Sequence, residues 1–182
     1  MAMHVFGYGS LLWKTEFKYD ERIVGFIKGY RRVFYQGSTD HRGTPSNPGR
    51  TVTLEPAEGQ ICWGVAYTIS NKDDQQEAIN LLEVREKQYD EKLRVDFYTD
   101  RGGASAELSN VLAYVGTSDR EKNPNYLGEA SIEEIALQIA GAEGPSGPNM
   151  DYLFQLEREL REIGVEDDHV SHLALHVRRL IS

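Results

Sequence analysis

The sequence has little of the chemistry on which disulfide-stabilised, membrane-spanning and nucleic-acid-binding proteins depend. Its single cysteine, Cys62, excludes a disulfide bond within the chain. No apolar stretch approaches the roughly 18 residues of a membrane-spanning helix. The 20 basic and 29 acidic residues give a net charge of −9, and no basic stripe follows the chain. We therefore expect neither a membrane nor a nucleic acid as a partner.

The N-terminal segment also lacks the build of a signal peptide. It has no basic residue before Lys14, and glycines interrupt its apolar run. A lone cysteine fits a reducing compartment. From these features we expect a soluble, cytoplasmic protein. A length of 182 residues predicts one domain over residues 1–182, which we expect to act as a monomer.

The short motifs of common hydrolases and nucleotide-binding proteins are missing as well. The chain contains no GxxxxGK[ST], HExxH, GxSxG or paired CxxC. Cys62 lies in an apolar predicted strand, which favours a buried small hydrophobe over a nucleophile. His169, His172 and His176 share a helix face at a spacing that suits metal ligands. They alternate with apolar residues, however, so a packing role is favoured and we expect no metal or cofactor.

The order of the predicted elements indicates an α+β fold. Strand patterns come first and helix-capping patterns follow, which predicts a small, mostly antiparallel β-barrel or sheet, flanking helices and a helical C-terminal third. Strands are predicted at Met3–Tyr8, Thr51–Leu54, Ile61–Ile69, Leu93–Tyr98 and Glu107–Val115. The segment Ile23–Tyr35 is predicted to form one long bent strand or two short ones. Helices are predicted at Lys72–Gln88 after Asn71 or Ser70, from Ser131 to Glu143, from Asn149 to Ile163, and from Asp167 or Asp168 to the end.

The bend after the first strand is a candidate binding site. Gly7 and Gly9 are separated by one residue and followed by Ser10, a pattern that indicates a sharp turn. The N–H groups of Gly9, Ser10 and Leu11 in such a turn are able to converge on a carboxylate or phosphate. A strand-end turn that binds nothing explains the same glycines equally well.

A second candidate is a glutamate near the end of the first predicted helix. Glu86 lies on the same helical line as Ile79 and Leu82, so the inward apolar face continues to a carboxylate. Burial and the negative end of the helix dipole both raise the pKa of such a group, which suits a general acid or base. An ion pair with Arg85 or a solvated helix end is the structural alternative. Glu83 is the weaker candidate by the same geometry.

A long polar segment, Gln36–Arg50, follows the second predicted strand. It contains almost no apolar residue, and segments of this length inside compact domains are often functional. Its glycines allow movement, so we expect a mobile cover over a binding site. Arg42 or Arg50 would then pair with a carboxylate of the ligand. Bracing of the segment by the same two arginines is the alternative.

Several short segments occur together in one known family. They are Phe6–Trp13, Tyr30–Arg32, Gln36–Pro45, Pro48–Leu54, Cys62–Tyr67, Val84–Lys87, Asn125–Gly128 and Gly144–Asn149. In this order, covering nearly the whole chain, they resemble the ChaC-type, glutathione-specific γ-glutamylcyclotransferases, and plant members most. Leu12 stands where many relatives have isoleucine, which is a conservative difference.

The resemblance implies a six-stranded β-barrel with flanking helices and a lyase that degrades glutathione. Such enzymes convert glutathione to 5-oxoproline and cysteinylglycine in the cytosol. It also implies that Tyr8, Gly9, Ser10 and Leu11 bind the γ-glutamyl group and that Glu86 is the acid/base. The substrate's own α-amine attacks its γ-amide carbon, so the protein need not supply a nucleophile, metal or cofactor.

Two other functions remain open at this point. One is a γ-glutamylamine cyclotransferase of the same fold that acts on modified lysines, against which the long polar segment argues. The other is a non-enzymatic protein that holds a partner's acidic tail. Glu86 argues against this second function, because an anion-binding module gains nothing from a buried carboxylate that faces its ligand.

Overall fold

The computed structural model describes residues 1–182 and confirms the α+β class. Strands predominate in the first part of the chain and helices in the C-terminal part. The elements are β1 (Met3–Gly7), β2 (Glu21–Ser38), β3 (Gly49–Ile69), α1 (Lys72–Arg85), β4 (Glu91–Phe97), β5 (Leu108–Val115), α2 (Ile132–Gly141), β6 (Glu143–Gly144), β7 (Gly147–Pro148), α3 (Asn149–Glu162) and α4 (Asp168–Ile181), with a 3-10 turn at Ser10–Leu12. No helix combines the length and the apolar character that crossing a membrane requires.

The main sheet has five strands in the order β2-β3-β1-β5-β4, and β6 and β7 form a separate ribbon. β1 pairs with β3 and β4 with β5 in antiparallel register, whereas Val5 of β1 pairs with Leu112 of β5 in parallel. The six-stranded barrel implied by the resemblance is therefore wrong in detail. The outer strands β2 and β4 form no ladder, and a single bridge joins Phe26 to Tyr98 just beyond β4.

The end of β4 explains this open edge. The register with β5 shifts between Val95 and Phe97, which redirects the strand and limits further pairing. Tyr98 still exchanges two backbone hydrogen bonds with Phe26, at 2.8 and 2.9 Å. Gly25 permits this approach, because a Cβ there would lie 2.3 Å from the Tyr98 carbonyl oxygen.

By its internal packing the chain divides into two compact units. The first comprises Met1–Arg31 and Leu54–Thr117, and the second comprises Arg32–Thr53 and Ser118–Ser182. Strands β2 and β3 contribute residues to both units. The single domain expected over residues 1–182 stays a prediction.

In the first unit, a buried aromatic and aliphatic core fixes β1 and α1. Phe6 stacks on Tyr8 and contacts Phe97, while Ala78 and Leu82 form the buried face of α1. Asn71 caps α1 as predicted, its side chain accepting the N–H groups of the first turn. The helix ends at Arg85, and Glu86 is its C-terminal cap. β1 lies inside the sheet, so the turn after Gly7 leaves from a central strand.

In the second unit, two of the three helix starts are those that the capping patterns predict. Ser131 caps α2 and Asp167 caps α4. Asn149 was predicted to cap α3, but the N-cap is Pro148. The Asn149 amide instead pairs with the backbone of Arg50, accepting its N–H and donating to its carbonyl, both at 2.9 Å.

The sequence prediction of two strands at Thr51–Leu54 and Ile61–Ile69 is also wrong, because β3 runs through both without a break. The intervening residues Pro56–Gln60 are largely exposed, so no apolar alternation marks them as strand. Gly59 takes a positive φ of 79° there, and glycine supplies this backbone conformation without strain.

Candidate active site

The turn predicted after the first strand is a short 3-10 helix. Gly9 precedes it, and the Leu12 N–H donates to the Gly9 carbonyl at 2.9 Å. The Leu12 N–H makes the first hydrogen bond of the 3-10 helix. Ser10 and Leu11 precede Leu12, so their N–H groups have no acceptor within the turn. Gly7 is needed for packing, because a Cβ there would lie 3.0 Å from the Leu11 Cβ. The turn is thus closely packed, and the two adjacent N–H groups at its start are not used by its own hydrogen bonds.

Two buried tyrosines hold this turn. The Tyr8 hydroxyl donates to the backbone carbonyl of Tyr114 at 2.5 Å, and the Tyr67 hydroxyl donates to the carbonyl of Leu11 at 2.6 Å. Both rings lie in the core, Tyr8 with 6% and Tyr67 with 1% of its surface exposed. A rigid turn of this kind suits binding, because little conformational entropy is lost when a ligand docks.

Glu86 has the environment that helical periodicity predicts. Its side chain is only 13% exposed, and burial raises the pKa of the carboxyl group from its ordinary value of 4.5 to about 7, although the Arg85 charge opposes the shift. Glu83 differs, since its side chain is 46% exposed and forms an ion pair with Lys92. Glu86 is therefore able to exchange a proton near neutral pH.

Arg85 connects the turn to Glu86. Its pairing with Glu86 is the alternative that the sequence offers, whereas its contact with the turn is not predicted. Its Nη2 donates to Ser10 Oγ at 2.8 Å, and its Nη1 donates to the carbonyl of Lys14. Its Nε lies 4.0 Å from Glu86 Oε1. The candidate binding turn and the candidate acid/base, which are far apart in sequence, thus meet in the first unit.

Tyr114 is a further residue of this region that sequence reasoning missed. Burial raises the pKa of its phenol to about 12, and the charges of Glu83 and Glu86 add to the shift. Its carbonyl accepts the Tyr8 hydroxyl. Tyr114 therefore stays neutral near the buried carboxylate. The sequence feature that could have identified it is a tyrosine in the otherwise apolar stretch of β5.

The polar segment of the second unit is braced rather than loose. Arg50 is only 6% exposed, and its guanidinium donates to the carbonyls of Phe34 and Gly128 and to Gln138 Oε1, at 2.9, 2.7 and 2.7 Å. Arg42 donates to the Pro148 carbonyl at 3.1 Å. These contacts support the bracing alternative for both arginines.

The glycines of this segment allow close backbone packing rather than movement. A Cβ at Gly43 would lie 2.1 Å from the backbone nitrogen of Gly49, and a Cβ at Gly49 would lie 2.4 Å from the Arg42 carbonyl oxygen. This packing argues against the predicted mobile cover, because a segment this closely packed resists opening.

The remaining candidates occupy structural positions. Cys62 is 3% exposed in β3, as expected for a small hydrophobe. His169 Nε2 accepts the backbone N–H of Phe34 at 3.1 Å, and its ring stacks on Phe34. No three His, Cys, Asp or Glu side chains are grouped so that they could hold a metal ion.

Both the sequence and the fold match those of known proteins. Residues 3–180 match the family model described as ChaC-like protein. The chain belongs to the ChaC-like family. This ChaC-like protein is 57% identical over 182 residues to γ-glutamylcyclotransferase 2-3 of Arabidopsis thaliana, covering 100% of this chain and 92% of the relative. The predicted resemblance to plant members is thereby confirmed.

More distant relatives extend the similarity. The ChaC-like chain is 41% identical over 175 residues to glutathione-specific γ-glutamylcyclotransferase 1 of Homo sapiens, covering 93% of this chain and 76% of the human protein. Its fold is similar to a crystal structure of a γ-glutamyl cyclotransferase specific to glutathione from yeast, with a TM-score of 0.86 and 29% identity over 100% of both chains. The family likeness thus extends over the full length of the fold.

Proposed function

We propose that this ChaC-like protein is a lyase that converts glutathione to 5-oxoproline and cysteinylglycine. The names of its human and yeast relatives, both glutathione-specific, support the substrate. In the reaction the α-amine of the γ-glutamyl residue attacks the γ-amide carbon, and a carbon–nitrogen bond closes the five-membered lactam. The bond from that carbon to the cysteine nitrogen breaks. The two products together contain the atoms of glutathione, and no water is consumed.

Glu86 is the acid/base of this reaction, and its burial is the observation that carries the proposal. As a carboxylate it takes a proton from the α-ammonium group, which turns the amine into a nucleophile. It then returns the proton to the departing cysteine nitrogen. The attacking nitrogen loses a second proton as the lactam forms, and cysteinylglycine takes up that proton and leaves as an ammonium. A pKa of about 7 allows both transfers near neutral pH, whereas an exposed glutamate would be a poor acid there.

The turn residues Tyr8, Gly9, Ser10 and Leu11 bind the γ-glutamyl group. The N–H groups of Ser10 and Leu11 donate to the substrate's α-carboxylate, since the 3-10 turn offers them no other acceptor. This orients the α-amine toward the γ-amide carbon of the same molecule. Such orientation is a large part of the catalysis, because an intramolecular reaction in the right geometry avoids most of the entropy cost of association.

The decisive test is product identification in water enriched in ¹⁸O. Incubation with reduced glutathione should yield equal amounts of 5-oxoproline and cysteinylglycine, and the 5-oxoproline should contain no ¹⁸O. Free glutamate labelled with ¹⁸O would instead mean hydrolysis and would refute the mechanism. A sample of γ-glutamyl-ε-lysine, treated in parallel, tests the γ-glutamylamine alternative and should not be consumed.

We also propose that the protein is cytoplasmic and acts as a monomer. The candidate site supports this assembly, since the turn, Arg85 and Glu86 all belong to one chain. The single, buried cysteine fits a reducing compartment. Light scattering at working concentration tests the monomer, and fractionation of cells that produce the protein tests the location.

A further inference from the structure

The guanidinium of Arg85 contacts both parts of the candidate active site. It donates to Ser10 Oγ and to the Lys14 carbonyl, one at the start of the turn and the other just beyond it. Its Nε lies 4.0 Å from Glu86 Oε1. The side chain is 15% exposed, so water competes little for these contacts. One rigid, planar group thus sets the distance between the turn and the acid/base.

We propose that Arg85 is a positioning residue for the cyclisation: its guanidinium fixes the Ser10–Lys14 segment relative to Glu86 and places a positive charge beside the Glu86 carboxylate. This inference rests on the function proposed above. Arg85 touches neither the reacting amine nor the reacting carbonyl in this role. It acts through the turn that holds the substrate and through the carboxylate that takes the proton.

The charges around Glu86 explain why Arg85 matters for ionisation. Burial favours the protonated acid, and the Arg85 charge favours the carboxylate. From β5, Tyr114 approaches as a neutral phenol. The cation Lys92 of β4 is paired with Glu83. The charge of Arg94, on the same strand, lowers the pKa of Tyr114. Arg85 is therefore the cation whose charge bears directly on Glu86.

The two roles of Arg85 are separable by substitution. Lysine keeps the positive charge but loses the planar fork that reaches two acceptors in fixed directions. Arg85→Lys should therefore leave the ionisation of Glu86 nearly unchanged while it loosens the turn. Glutamine keeps a polar donor but removes the charge, so Arg85→Gln should alter both. Arg94→Gln is the matched control, because it removes a nearby exposed charge that contacts neither the turn nor Glu86.

The experiment measures kcat and KM for glutathione between pH 5.5 and 9 in the wild type and the three variants. The fall of kcat/KM on the acidic side of the pH profile reports the pKa of the catalytic base in the free enzyme. Arg85→Gln should move the midpoint of this fall upward by about one pH unit, since a neighbouring opposite charge typically lowers a carboxyl pKa by one to three units. Arg94→Gln should leave the midpoint in place.

Arg85→Lys should keep the wild-type midpoint and lose about ten- to a hundredfold in kcat/KM, the range for losing a hydrogen bond to a charged group. Wild-type values for both Arg85 variants across the pH range would overturn the inference. If Arg85→Gln does not fold, the Arg85→Lys profile decides alone, and a wild-type kcat/KM there would again overturn it. An inactive wild type would instead refute the proposed function, so the two failures are distinguishable.

Discussion

The folded chain buries the carboxylate of Glu86, and this burial lowers the stability of the folded state. Its pKa is raised because the protein interior solvates the charged form poorly, and the nearby Arg85 only partly compensates. For a purely structural residue this would be a poor arrangement. For a group that must accept and return a proton near pH 7, the same arrangement is useful. Function and stability therefore oppose each other at this residue.

This opposition has a measurable pH dependence. The folded-state pKa of Glu86 exceeds the unfolded value, so its contribution to stability is complete below pH 4.5 and is lost as pH rises through about 7. Glu86→Gln removes the charge and should be more stable than the wild type at pH 8, by up to about 3 kcal/mol at about 1.4 kcal/mol per pKa unit. Urea unfolding of both proteins at pH 5 and pH 8 measures the difference.

Glu83→Gln is the control for this prediction. Glu83 is half exposed and paired with Lys92, so its substitution should change stability by a similar small amount at both pH values. A stability difference between Glu86→Gln and the wild type that is the same at pH 5 and pH 8 would show that folding does not raise the pKa of Glu86.

At the scale of elements, the 3-10 turn depends on β3 for its shape. Tyr67→Phe removes the hydroxyl that donates to the Leu11 carbonyl at 2.6 Å and leaves that acceptor unsatisfied. We expect a loss of about 1–3 kcal/mol in the free energy of unfolding. Since the proposed role of the turn is to bind the γ-glutamyl group, KM for glutathione should rise severalfold while kcat changes less.

Tyr19→Phe provides a matched change for comparison. Tyr19 is 43% exposed and contacts the Tyr67 ring at a centroid distance of 4.8 Å, so its substitution alters a neighbouring phenol without touching the turn. It should change neither stability nor KM appreciably. A Tyr67→Phe variant with reduced stability but an unchanged KM would show that the turn does not need this anchor to bind substrate.

The polar segment of the second unit is an element held by one buried arginine. Arg50→Ala removes a guanidinium that donates to three oxygen acceptors. We expect a loss of about 3 kcal/mol or more, since each acceptor left without a donor costs about 1–3 kcal/mol. Thermal and urea unfolding measure this loss, with Arg42→Ala as a milder comparison.

Arg50→Ala also distinguishes two roles of Arg50, bracing of the segment and recognition of the substrate. If Arg50 only braces the segment, kcat/KM should fall by the same factor for glutathione and for a γ-glutamyl amide that lacks the glycine carboxylate. A variant that keeps wild-type stability but loses activity on glutathione alone would show that Arg50 binds the carboxylate. Bracing would then be the wrong explanation.

At the scale of the whole molecule, local features were predictable from the sequence and long-range contacts were not. Asn71, Ser131 and Asp167 cap their helices as expected, because a cap involves only neighbouring residues. The burial of Glu86 followed from helical periodicity, which is also local. The α+β class followed from the order of strand and helix patterns.

The contacts that the sequence did not predict join residues far apart in the chain. Arg85 and Ser10 are 75 positions apart, and Asn149 and Arg50 are 99 positions apart. A polar residue with several possible partners carries no local sign of which one it meets. The asparagine therefore resembled a cap, and the glycines at positions 43 and 49 resembled hinges, until their neighbours were known.

The central claim is that Glu86 is the acid/base for glutathione cyclisation. Its most direct test compares Glu86→Gln with Glu83→Gln by single-substrate kinetics at pH 7.5, with 5-oxoproline as the measured product. Glu86→Gln should remain folded and lose about two to four orders of magnitude in kcat, the range usual for a general acid/base. Glu83→Gln should lose much less. A folded Glu86→Gln variant with near-wild-type kcat, or a larger loss for Glu83→Gln, would contradict the claim.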